Sequence, residues 1–217
     1  VKYNQCIEDL QTENVTTMES MFEGCVEFNQ CICDLNTNKV TNFSKFLMGC
    51  SEFDQELDHF DTSSATDLSH FLSSAISFNR EVGINASNVT DMSDMFKGAK
   101  VLDSPINVVS TANVTNMESM FNGALLFNQP LTGFTTPNVT NMRGMFQDAS
   151  SFNQPLSHFD TSNVYYFNNM FDGATSFNGS VPNFNTAPIG TTTTTIIGNG
   201  LKQYEYLEGV TQMTRAT

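Results

Sequence analysis

Five cysteines offer the first chemistry in this sequence. Cys6 and Cys31 lie 25 residues apart, and so do Cys25 and Cys50. Two pairs at one spacing point to a chain that repeats at that period and brings each pair side by side. Neighbours about 5 Å apart fall within the Cα range for a disulfide, so Cys6–Cys31 and Cys25–Cys50 are candidate bonds. Cys25 and Cys50 also suit a small buried slot, where reduced cysteine simply packs. Cys33 is left over as a candidate exposed thiol able to link to another chain. Disulfide pairing of this kind belongs to an oxidising, extracellular setting.

Carboxylates and asparagines supply the other candidates. Glu52, Asp54, Glu56 and Asp58 alternate with Phe53, Gln55 and Leu57, which puts all four acids on one face of an extended segment. Oxygens gathered there are a candidate Ca²⁺ site, the one cofactor the sequence suggests. No Asp-x-Asp-Gly loop accompanies them and a flat strand wraps a cation poorly, so an acidic patch for a basic partner is the equal alternative. Asn-x-Ser/Thr occurs at Asn14, Asn42, Asn85, Asn88, Asn113, Asn138 and Asn178, candidate N-glycosylation sites in a eukaryotic secretory host. Four of the seven belong to a recurring Asn-Val-Thr, which turn geometry alone would also favour. His59, His70 and His158 have no metal-ligand spacing, and there is no nucleophile elbow, phosphate-cradling glycine loop or Cys-x-x-Cys pair. No catalytic residue is assigned, and the chain is not expected to be an enzyme.

What must position these residues is an internal repeat. Val15, Val40, Ala65, Val89, Val114, Val139 and Val164 fall in register with steps of 25, 25, 24, 25, 25 and 25. The copy at 138–162 reads NVTNMRGMFQDASSFNQPLSHFDTS. Met142, Met145 and Phe146 sit at i, i+3 and i+4, the spacing of a short helix. Thr140 or Asn141 would cap it, and a following glycine, such as Gly123 or Gly173, suits a left-handed C-terminal cap. The segment from Phe152 to Leu156 reads as a short strand. One unit buries too little to offset the ordering of its backbone, so the units must stack. Stacking turns Phe28, Phe53, Phe78, Leu102, Phe127, Phe152 and Phe177 into one apolar file, with Phe22, Leu47, Leu72, Phe96, Phe121, Phe146 and Phe171 as a second. Asn29, Asp54, Asn79, Asp103, Asn128, Asn153 and Asn178 make a polar file, and Thr12, Thr37, Thr62, Thr111, Thr136, Thr161 and Thr186 another. Such files are expected to satisfy backbone groups at bends, or, less readily, to meet a regular ice or mineral surface. The repeat occupies 1–186, about seven and a half copies, and 187–217 is a C-terminal cap or linker.

Composition narrows the partners. The net charge is −14, with 9 Lys and Arg scattered among 23 Asp and Glu, which argues against nucleic acid and anionic membrane. Residues 1–75 carry −10 of it. No apolar run is long enough for a membrane span.

The motif Asn-Val-Thr-Asn-Met-x-x-Met-Phe-x-Gly-Ala/Cys-x-x-Phe-Asn-Gln, carried by 113–129 and 138–154, resembles the bacterial surface leucine-rich-repeat family called BspA-like. It is closest to the variant with repeats of about 25–26 residues typical of Mycoplasma lipoproteins. Phe60, Phe134 and Phe159 stand where that family usually has Trp. The resemblance implies a leucine-rich-repeat-like α/β solenoid, right-handed, with a short parallel strand and a short helix in each coil. It also implies display outside the cell or on its surface. The expected function is a non-enzymatic adhesion module that binds protein or glycan. A structural subunit of a fibre, coat or appendage, docking on copies of itself, is the alternative.

Overall fold

The computed structural model describes residues 2–7, 9–180, 191–197, 201–206 and 211–215. Thr186 and the expected boundary at 186 and 187 lie outside them. Repeats beginning at Asn4, Asn29, Asp54, Asn79, Asp103, Asn128 and Asn153 form successive layers, each laid on the last in parallel register. Single bridges mark that register: Thr17 to Asn42, then Asp67, Asp91, Asn116, Asn141 and Tyr166. Among the described residues of the layers, extended pairing is confined to β1 (Val82–Ile84) and β2 (Ile106–Val108), which are parallel. Near the C-terminus β3 (Thr191–Ile197), β4 (Leu201–Tyr206) and β5 (Thr211–Arg215) form an antiparallel sheet in the segment expected as cap or linker.

The expected α/β coil is therefore overturned. The described residues contain no helix, and the strand expected from Phe152 to Leu156 is absent, so a leucine-rich-repeat-like solenoid of helix and strand is not what this chain builds. The reason lies in where the amides go. In the fifth layer the N–H groups of Met117, Ser119, Phe121 and Gly123 donate forward to the carbonyls of Asn141, Arg143, Met145 and Gln147 at 2.7–2.9 Å. Between them, Met120, Asn122 and Ala124 donate back three residues, to Met117, Ser119 and Phe121. A helix needs all of these amides to point one way along its own axis. Here every second one crosses to the next layer.

Left-handed residues make that alternation possible. Ser119 and Gly123 have φ of 53° and 70°, and equivalent residues recur four apart in each layer, from Ser20 and Gly24 to Asn169 and Gly173. Each such residue reverses the turn before a fourth-residue hydrogen bond can close. The Met-x-x-Met-Phe spacing still buries Met117, Met120 and Phe121 completely, because successive tight turns bring i, i+3 and i+4 to one side much as a helix would.

The strand fails for a second reason. At the start of each layer an Asn or Asp side chain takes the place of a main-chain partner. Asn128 Oδ1 accepts from the Asn153 amide at 2.9 Å, and the same bond runs from Asn4 through to Asn178. The threonine file does similar work at the opposite bend. Thr12, Thr37, Thr62 and Thr111 accept from the amides of Asn36, Asp61, Asn85 and Thr135 at 2.7–2.9 Å. Its described members are buried, so it is not presented to an ice or mineral surface.

Both apolar files form as expected. Phe96, Phe121, Phe146 and Phe171 stack with centroids 5.5–5.6 Å apart, and Phe121 and Phe146 also stack on Phe127 and Phe152 at 4.3 and 4.1 Å. Offset stacking at these distances adds to the burial of the rings.

Two substitutions separate these contributions. Phe146→Ala empties a fully buried site and should cost about 3–5 kcal/mol. Gly123→Ala meets no close contact, its Cβ lying 3.7 Å from Gly98 Cα, yet forces a left-handed alanine and should cost about 1–2 kcal/mol. Urea midpoints read both, and an unchanged midpoint for Gly123→Ala would contradict the turn geometry.

Candidate functional site

The cysteines come together differently from the expected pairs. Cys31 is bonded to Cys33, not to Cys6, and Cys33 is therefore not a leftover thiol. Cys31 and Cys33 are exposed on either side of the buried Ile32, so both sulfurs stand on the outside of the second layer. Cys6 carries an exposed thiol on the layer below. Cys25 and Cys50 fill the small slot that alanine occupies in later layers, and they remain reduced. Cys50 donates its S–H to the Phe22 carbonyl at 3.0 Å rather than bonding to Cys25. Burial, followed by the charge Cys25 would carry, pushes the Cys50 thiol up to about 12. It is a packed, unreactive group.

The acidic row does not converge on a cation. Arg80, one layer on, forks onto it: Nη2 meets Asp54 Oδ2 at 2.9 Å, Nη1 meets Glu56 Oε1 at 3.3 Å, and Nε donates to the Asp54 carbonyl at 3.1 Å. Those two carboxylates hold the guanidinium above its ordinary value, Asp54 most strongly. Asp54 Oδ1 is engaged as well, by the Asn79 amide. Asp58 sits 3.4 Å from its own neighbour, His59, and Glu52 points outward. Among the described residues no three His, Cys, Asp or Glu gather as metal ligands. The Ca²⁺ site expected at Glu52, Asp54, Glu56 and Asp58 is replaced by an ion-pair clamp between layers. The repeat carried a signal for it, since Arg80 follows Asp54 by 26 residues, one step past the period.

The Asn-Val-Thr asparagines are joints in the stack. Asn88, Asn113 and Asn138 donate Nδ2 to the carbonyls of Ser63, Ser87 and Ala112 on the preceding layer, at 2.6–2.8 Å. Nδ2 is the atom a glycan would need. Asn14 accepts from Lys39 Nζ at 2.9 Å, and Asn42 and Asn85 accept from the amides of Ser44 and Ser87. Asn178 donates its main-chain amide to Asn153.

Two files of exposed aliphatic residues were not anticipated. They follow the buried small slot by one and two positions and lie on one edge of the stack, where Glu52 donates its amide to the Val26 carbonyl and Leu126 to that of Lys100. Val26, Ile76, Val101, Leu125 and Leu126 are 37–50% exposed there. No helix of the described residues is long and apolar enough to cross a membrane.

Comparison with known proteins places the chain in a family. It belongs to the family described as "Mycoplasma protein of unknown function, DUF285", which it matches over residues 1–108 and again over 101–203. No curated protein and no solved structure matches it significantly.

Two outcomes follow from these environments. In the folded protein iodoacetamide should modify Cys6 and leave Cys50 untouched until denaturant is added; peptide mass mapping showing Cys50 labelled in the native state would contradict its burial. Asp61 and Asp160 are held below their ordinary value by the hydroxyls and amides of Ser63 and Ser162. Their contribution to stability is present above that ordinary value, 3.8, and is lost as pH falls through the lower folded value. Urea midpoints between about pH 5 and 3 should therefore fall less for Asp61→Asn with Asp160→Asn than for the parent.

Proposed function

We propose that the chain is a non-enzymatic binding module, displayed outside the cell or on its surface, that engages a protein or glycan ligand along the outer edge of the stack. The observation that carries this reading is the aliphatic edge. Monomeric proteins seldom expose contiguous apolar patches larger than a few hundred Å² without a partner to cover them. Val26, Ile76, Val101, Leu125 and Leu126 share one edge across four of the first five layers. Glu27, paired with Lys2 at 2.9 Å, and Glu52 lie in the same files at the N-terminal end, and Lys100 interrupts the aliphatic residues further on, so the acidic end of the edge rests on Glu52. A ligand with a basic end and an apolar body would be complementary to it.

The resemblance to BspA-like surface repeats supports the same reading, and the finer assignment to that group is part of this proposal. Binding of labelled protein to intact cultured cells, and to immobilised glycans, tests it. Saturable binding is expected, and Val101→Glu with Leu126→Glu should weaken it by about 2 kcal/mol or more, roughly thirtyfold. Binding unchanged in that variant would remove the edge from the account. Absence of saturable binding, with regular filaments at high concentration, would favour the structural subunit instead.

A further inference from the structure

We propose that Cys6, Cys31 and Cys33 form a thiol–disulfide exchange site on the first two layers, with Cys31 as the sulfur shared between two alternative bonds. The Cys31–Cys33 bond spans only two positions of the chain and both residues are exposed. Exposed disulfides are the exchangeable ones. The Cys33 amide donates to Cys31 Sγ at 3.2 Å and fixes that sulfur in place.

The register of the layers brings the third sulfur alongside. Asn4 Oδ1 accepts from the Asn29 amide at 3.0 Å and from Gln30 Nε2 at 2.9 Å. That pair of bonds holds residue 4 beside 29, so Cys6, two residues on, lies beside Cys31. Tyr3 and Phe28, just before these two segments, stack with ring centroids 6.0 Å apart, a separation within the Cα range that a disulfide spans.

The exchange step is balanced without an added oxidant. The Cys6 thiolate attacks Cys31 Sγ, the Cys6–Cys31 bond forms, and the Cys31–Cys33 bond breaks with its electron pair leaving on Cys33. Cys6 gives its proton to solvent before the attack, and the negative charge it then carries ends on Cys33. One isomer links residues within a layer. The other clamps the first layer to the second across a loop of one whole repeat, and frees an exposed thiolate at Cys33. That thiolate is then the group able to join a partner's disulfide, the chemical class of ligand the site would take.

The test uses the full chain equilibrated in a glutathione redox buffer, quenched with acid, alkylated and mapped by peptide mass spectrometry. Parent protein should contain both Cys31–Cys33 and Cys6–Cys31, in the same ratio whether equilibration starts reduced or oxidised. Cys33→Ser should form Cys6–Cys31, and Cys6→Ser should keep Cys31–Cys33. In Cys33→Ser, amide exchange over residues 4–28 should be about tenfold slower than in Cys6→Ser, a readout that a merely local bond would not move. Unlinked Cys6 and Cys31, or their separate glutathione adducts, in a Cys33→Ser protein with native circular dichroism would overturn the proposal. So would a parent protein that holds Cys31–Cys33 alone from both starting states.

Discussion

Every second amide in the Met-x-x-Met-Phe segment leaves its own turn and bonds to the next layer, and the rest of the architecture follows from that division. A main-chain amide buried without a partner costs about 1–3 kcal/mol, so a segment that gives up half its local bonds must lie against another just like it. The backward bonds, three residues long, keep the segment curled tightly enough to bury its methionines and phenylalanine. The forward bonds, from residues such as Phe121 to Met145, fix the distance and register of the neighbour. Neither set suffices alone. A single repeat has no reason to hold this shape, and the shape exists as a stack or not at all.

Side chains complete the accounting at the bends. The Asn/Asp file and the Thr file supply oxygens where the backbone turns away from its neighbour, and both repeat because the same amide is left over in every layer. Function is constrained by this. Polar groups that might have done chemistry are engaged in joining layers: the Asn-Val-Thr amides hold carbonyls, Asp54 holds both an amide and Arg80, and Cys50 holds the Phe22 carbonyl. Among the side chains left to meet another molecule are those at the outer edge, where exposed aliphatic residues stand beside acids. Of the five cysteines in the first two layers, Cys6, Cys31 and Cys33 share that exposure.

Much of the stack was legible in the sequence because the period alone determines which residues become neighbours. The two phenylalanine files, the small buried slot of Cys25 and Cys50, and the role of the Asn and Thr files could all be read from positions 25 apart. Left-handed glycines were legible too, since Gly24 and Gly123 stand where only a reversed turn explains them. The helix was not. Burial at i, i+3 and i+4 is common to a helix and to a run of tight turns, and the residue that distinguishes them is Ser20, Lys45 or His70, none of which advertises a positive φ. The strand was misread because Asn128 and its equivalents replace a carbonyl with a side-chain oxygen, which leaves hydrophobic alternation intact. The cysteine pairing went astray for a different reason. A period shows that Cys6 and Cys31 are neighbours across layers, but Cys31 has a second neighbour within its own layer, and spacing cannot rank the two. Arg80 closing on Asp54 and Glu56 lay one residue beyond the period and was passed over for the cation its partners resembled.

The division of amides can be measured directly by scalar coupling across hydrogen bonds in isotopically labelled, deuterated protein. The amide nitrogen of Phe121 should couple to the carbonyl carbon of Met145, and that of Phe96 to Met120, one layer on in each case. The amide of Asn122 should couple to the Ser119 carbonyl three residues back. Coupling of Phe121 to Met117, four residues back in its own segment, would mean that a helix forms there after all, and the account of the stack given above would fall with it.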